Sequence, residues 1–142
     1  MESGKWKVES GKWKVESGKR KVESGRVFKL DKLLVWKKAH ILVLDIYKVT
    51  KNFPSDELYG LTSQMRRAVT SVPCNIAEGK ARGSTKDFKR FLLIARGSLE
   101  ELKYQVILSK DLDYINEDKY DELQNKAKEV GRLLAGLIKS LN

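Results

Sequence analysis

Residues 71–84 read SVPCNIAEGKARGS, and they decide how the chain folds. On both sides of them apolar residues recur every three or four positions, the period of a helix buried along one face. The stretch itself holds a proline, an asparagine, two glycines and two basic residues. Pro73 removes the helical bond to the Val69 carbonyl and pushes Val72 away from ideal helix geometry, so a kink or short break is expected near residues 70–73. Asn75 is placed either to satisfy a freed backbone group or to point outward as a contact. Gly79 suits the position just past a helix end, and Gly83 loosens the link before Ser84. Ser84 with Asp87 three residues on resembles a capping box. The stretch therefore bends and ends one helix and begins another. It sets Lys80 and Arg82 beside the positive N-terminus of the second, a place that favours anions.

Working outward, the pattern predicts four helices, over residues 32–51, 55–78, 85–110 and 117–141. Asp31, Ser55, Ser84 and Asn116 stand where N-caps belong. The second helix carries Leu61, Met65, Val69, Val72 and Ile76 on one face. The third carries Phe88, Phe91, Leu92, Ala95, Leu99, Leu102 and Val106. The fourth carries Tyr120, Leu123, Ala127, Val130, Leu134, Leu137 and Leu141, with Gly131 and Gly136 as points of close packing. Amphipathic helices with short connections make an all-α, antiparallel up-and-down four-helix bundle, here spanning residues 27–142. The first helix is different. Its apolar residues, Trp36, Ile41, Leu44 and Tyr47 among them, cover most of its circumference. One bundle core cannot use them all, so a second buried surface is implied, with Trp36 and Tyr47 at an oligomer interface.

Residues 1–26 repeat with a period of seven, ESGKWKV, ESGKWKV, ESGKRKV and ESG. Trp6 and Val8 are two apart rather than three or four, and each copy carries a helix-weakening Ser-Gly. Low apolar content predicts a flexible tail. It reads either as an RNA-binding arm with Trp6 and Trp13 as stacking platforms, or as duplication of a short coding unit or sequence upstream of the true start. The 142 residues suit one bundle domain beyond that tail. One cysteine, Cys74, excludes an internal disulfide and fits a reducing, cytoplasmic setting. The N-terminus has no apolar run of a secretory signal. Lys37, Lys38, His40 and Asp45 interrupt the most apolar window, short of a membrane span.

The net charge is +10. The tail has eight basic and four acidic residues, and residues 66–96 have eight basic and two acidic. The rest of the bundle balances to zero. The excess is Arg66, Arg67, Lys80, Arg82, Lys86, Lys89, Arg90 and Arg96. Lys86, Lys89, Arg90 and Arg96 fall in one sector of the third helix, with Gly97 on the same sector, where a backbone could approach closely. Glu100 partly offsets the run, which reads either as a surface for nucleic acid, RNA included, or another polyanion, or as a solubilising face.

Catalytic constellations are missing. His40 is the single histidine and lies in the crowded first helix, where a core or interface role is expected. Cys74 is expected to be a small buried or half-buried residue, with no histidine placed to activate it. Glu78 shares a face with Arg67 and Cys74 and is expected to pair with a cation. No cluster has metal-ligand spacing and no phosphate loop is present, so neither metal, cofactor nor enzyme activity is expected.

Residues 53–105, FPSDELYGLTSQMRRAVTSVPCNIAEGKARGSTKDFKRFLLIARGSLEELKYQ, resemble the four-helix-bundle proteins encoded in intervening sequences of bacterial 23S ribosomal RNA genes. The matching positions are Phe53, Pro54, Glu57, Gly60, Leu61, Gln64, Arg66, Arg67 and Ala68. Ser71, Val72, Pro73, Asn75, Ile76, Ala77, Glu78 and Gly79 follow, then Arg82, Phe91, Leu92, Ala95, Arg96, Gly97 and Ser98. Val72 stands where the family has isoleucine. The resemblance covers residues 33–141 and leaves out the heptad tail. It implies a bundle assembled into a ring-like homo-oligomer, a pentamer, without enzymatic activity. A related branch serves as accessory protein to the reverse transcriptase of diversity-generating retroelements and is thought to bind nucleic acid. Two functions follow as expectations. One is an RNA-binding oligomer using the eight cations. The other is an adaptor whose basic groove holds an acidic protein partner such as a polymerase or reverse transcriptase.

Overall fold

The computed structural model describes residues 33–142 in full, and residues 6–9 and 12–15 as backbone. Among the described residues, four helices account for most of the chain: α1 (Leu34–Thr50), α2 (Leu61–Ala81), α3 (Thr85–Asp111) and α4 (Glu117–Ser140). Each packs antiparallel on its neighbour in sequence, and α4 closes the bundle against α1. The apolar stripes form the core. Leu42, Ile46, Met65, Val69, Val72, Ile76, Leu92, Leu99, Leu102, Val106, Leu123 and Leu134 are fully buried, each stabilising the fold by about 1.5–3 kcal/mol against exposure. Phe53 and Ile115, in the connections, are also buried, with Phe53 tilted against Tyr114 at 5.1 Å.

Helix ends follow the expected caps at two places. The Ser84 hydroxyl accepts from the Asp87 amide at 3.0 Å, and the Asn116 side chain accepts from the Lys119 amide at 2.8 Å. The start of α2 differs from expectation. Ser55 does not cap it; Ser55–Glu57 is a 3-10 turn. Glu57 folds forward so that its carboxylate accepts from the Leu61 amide at 2.9 Å, and α2 begins there. A side chain four residues upstream thus does the work of a local cap. Asp31 lies outside the described residues, and α1 starts after Leu33 with no side-chain cap.

Within residues 71–84 the helix runs further than expected, and the turn falls at Gly83, in the expected link before Ser84. No break occurs at residues 70–73: α2 runs unbroken through Pro73, which is buried on the core side. Tertiary packing overrides the local cost of proline in a helix. Gly79 does not end α2 but lies buried within it, and the chain turns at Gly83, whose φ is +83°. A Cβ on Gly79 would stand 2.7 Å from the Phe91 Cβ, so the glycine is there to let α2 and α3 approach. In α4, Gly131 faces Leu99 at ordinary contact distance, whereas Gly136 is exposed with nothing near it, so no close packing depends on it.

Within the predicted tail, β1 (Trp6–Glu9) and β2 (Lys12–Val15) pair antiparallel, with Trp6 opposite Val15 and Val8 opposite Trp13. The alternating Lys-Trp-Lys-Val of the first two repeats has the period of a strand. The rest of the tail, and the boundary at residues 26–27, lie outside the described residues.

Candidate nucleic-acid interface

The α2–α3 corner gathers most of the expected cations. Because Gly79 lets α3 come close, Phe91 is drawn under the end of α2. Two guanidinium groups cover its ring, Arg82 at 4.9 Å and Arg90 at 4.6 Å from the centroid. Lys80 lies 5.4 Å over Phe88. Glu78 pairs with Arg82 at 3.0 Å, as expected of it, and Asp87 faces Arg90 at 3.6 Å. Both pairs are exposed and so add little stability. Lys86 and Arg96 are exposed and form no ion pair among the described residues. Lys89 is half-buried and donates to the Asn142 side chain at the far end of the chain. Gly97 is exposed on the same helix, with open space where a Cβ would be.

Arg66 and Arg67 do not belong to this corner. At 1.5 Å per residue they stand about 20 Å from Lys80 along α2. Arg66 turns inward to α1. Its Nε donates to the Thr50 hydroxyl at 2.9 Å, a second guanidinium nitrogen donates to the Tyr47 carbonyl at 3.3 Å, and the group lies 4.5 Å over the Tyr47 ring. A cation at the last carbonyls of α1 complements the negative end of the helix dipole. Arg67 is exposed and has no side-chain partner among the described residues. The cations read as one surface are therefore two, separated along α2, with Arg66 serving the α1–α2 contact.

The motif residues between the two ends hold helices together. Asn75 donates to the Ser71 carbonyl at 2.8 Å and lies 2.9 Å from its hydroxyl, and Ser71 meets Ser98 of α3 at 2.8 Å. Asn75 thus points into the α2–α3 seam, not outward. At the opposite end Glu57 accepts from Tyr114 at 2.8 Å as well as from Leu61. The Leu61 amide first, and the Tyr114 hydroxyl second, hold the Glu57 carboxyl below its usual range. The bond to Glu57 raises the Tyr114 phenol. Sequence reading missed Tyr114, Thr50, Ser71 and Ser98 in these roles. Their partners are 57, 16 and 27 residues away, beyond any local pattern.

Trp36 is half-buried and stacks on His40 at 5.3 Å, while partial burial lowers the His40 pKa. Tyr47 is exposed. Cys74 is exposed rather than buried, because it follows the inward-facing Pro73 and so points away from the core. Among the described residues no group of His, Cys, Asp and Glu could hold a metal ion, and no helix is long and apolar enough to cross a membrane.

Residues 31–136 match the family model described as "23S rRNA-intervening sequence protein". A crystal structure of a protein of unknown function from the S23 ribosomal protein family of Bacteroides thetaiotaomicron is similar. It shares 28% identity over 75% of this chain and 96% of that one, with a TM-score of 0.68. No curated protein matches.

Proposed function

The chain belongs to the 23S rRNA-intervening sequence protein family, and from that premise we propose that it is a non-enzymatic, oligomeric RNA-binding bundle. The observation that supports this is the α2–α3 corner and the α3 face that leads from it: Lys80, Arg82, Lys86 and Arg90 are exposed at the corner and Arg96 is exposed further along α3, with Glu78, Asp87 and Glu100 the acids beside them. Fixed guanidinium groups around Phe91 offer hydrogen-bond donors to phosphate at little further entropic cost. Recognition there is mostly of the RNA backbone, with little reading of bases. Several copies in one homo-oligomer, a pentamer in the ring form, multiply a weak subunit affinity.

The test is a salt titration. Lys86→Glu/Arg96→Glu touches no ion pair of the bundle and is expected to stay folded. Its RNA affinity should drop, and the slope of affinity against salt should fall by about 0.7 for each single-strand phosphate that the protein no longer neutralises. Unchanged affinity and slope would remove the corner from the function.

A specific observation favours a second reading. Leu93 and Ile94 are exposed on α3 beside Arg90 and Gly97, and apolar side chains suit a protein partner better than RNA. An adaptor role, with an acidic polymerase or reverse transcriptase on this helix, predicts a partner that stays bound after nuclease treatment.

A further inference from the structure

The two arginines left out of the corner lead to a different site. Tyr59 is 92% exposed, more than any other large apolar or aromatic side chain described. It stands in the turn between the Ser55–Glu57 3-10 segment and α2, a turn fixed on both sides. Glu57 anchors it to Leu61 and Tyr114, and the Gly60 amide bonds the Glu57 carbonyl at 2.9 Å. Beside Tyr59 lies an open concavity of about 390 Å³ between α1 and α2, lined by Tyr47, Leu58, Arg66 and Arg67 among others. Small-ligand sites begin at about 300 Å³.

Arg66, which lines the cavity, is held over the Tyr47 ring and bonded to the Thr50 hydroxyl and the Tyr47 carbonyl, using two of its five donors. Arg67 has no partner among the described residues. The cavity thus combines a fixed aromatic–guanidinium platform, a second aromatic ring in solvent and an unpaired cation. A ligand that meets all three is planar, aromatic and anionic.

We propose that this concavity takes one unpaired nucleotide of single-stranded RNA, its base stacked on Tyr59 and on the Arg66 guanidinium that covers Tyr47, and its phosphate on Arg67. Stacking on aromatic rings is how proteins hold unpaired bases, and it tolerates any sequence because each base has a π-face. A paired base keeps its faces inside the duplex and cannot enter. The site deepens the RNA-binding reading above and rests on it. The corner would hold phosphates of any RNA, and the concavity would add a preference for single strands. Along α2 the concavity lies about 20 Å from Lys80, so the two sites can be altered separately.

The experiment titrates the full chain with a labelled oligouridylate and with a fully paired RNA duplex of the same length, recording the mass in solution for each variant. Tyr59→Ala removes an exposed ring and is expected to leave folding intact. It should weaken oligouridylate binding by about 5- to 100-fold and leave duplex binding unchanged, while Tyr59→Phe should bind as the wild type does. Tyr59→Ala binding oligouridylate normally, while Lys86→Glu/Arg96→Glu weakens both RNAs, would overturn the nucleotide site and leave the corner standing. Equal losses for the two RNAs would overturn it too. So would a fall in mass on Tyr59→Ala, which would assign the concavity to contact between copies. A wild type that binds neither RNA would overturn both readings together.

Discussion

Gly79 and Gly97 are the same residue type in two helices, yet opposite outcomes follow from replacing them. A Cβ on Gly79 would meet the Phe91 Cβ at 2.7 Å and the Phe88 ring at 3.2 Å. Alanine gains about 1 kcal/mol of helix propensity there, but overpacking a tight contact costs about 1–3 kcal/mol. Neither the Phe91 Cβ nor the α3 backbone can swing aside, so the clash wins. Gly79→Ala is expected to lower stability by about 1 kcal/mol, seen as a lower urea midpoint at unchanged slope. Gly97 has nothing within 4 Å, so Gly97→Ala should raise stability by about 0.5–1 kcal/mol in the same measurement. Loss of RNA binding by Gly97→Ala with that gain in stability would show a backbone approach there.

The start of α2 depends on pH. Glu57 caps it through the Leu61 amide and ties it to Tyr114, which holds the carboxyl below its usual range. A depressed folded-state pKa contributes stability that is present above the unfolded value and lost as pH falls through the folded one. The wild type should therefore lose stability on acidification below about pH 4.5, the ordinary range of a glutamate carboxyl. Glu57→Gln, which keeps an acceptor but cannot titrate, should lack that part of the loss. Thermal melts of the two proteins from pH 7 to pH 3 check this; parallel curves would show that the cap carries no charge-dependent stability. The same element shows where local reading stops. Ser55 is the better cap by residue type, but Pro54 and the 3-10 turn place Glu57, not Ser55, at the α2 amides.

For the molecule as a whole, the first helix still carries more apolar surface than the bundle buries. Leu34 is 52% and Leu44 41% exposed, although Val35, Ala39, Leu42, Val43 and Ile46 already fill the core side. Covering such residues is what a homo-oligomer interface would do. Leu44→Lys alters no buried contact of the single chain, so it should fold normally and shift the mass in solution towards the monomer. Light scattering with circular dichroism separates the outcomes. An unchanged assembly would move the interface off this face of α1, for instance to Leu93 and Ile94 of α3.

Helix number, their order and the buried stripes are legible in the sequence because burial on one helical face repeats every three to four residues, and every stripe residue named for α3 is buried. The caps at Ser84 and Asn116 are legible because their bonds span three residues. The excess of cations in residues 66–96 can be counted, but its division into two surfaces cannot. Which way Arg66 turns depends on Tyr47 and Thr50 of another helix. Likewise, Gly79 looks like a helix stop in one dimension. Only the approach of α3 decides that Gly79 stays helical and Gly83 makes the turn, because the Phe91 side chain fills the space a Cβ at residue 79 would need.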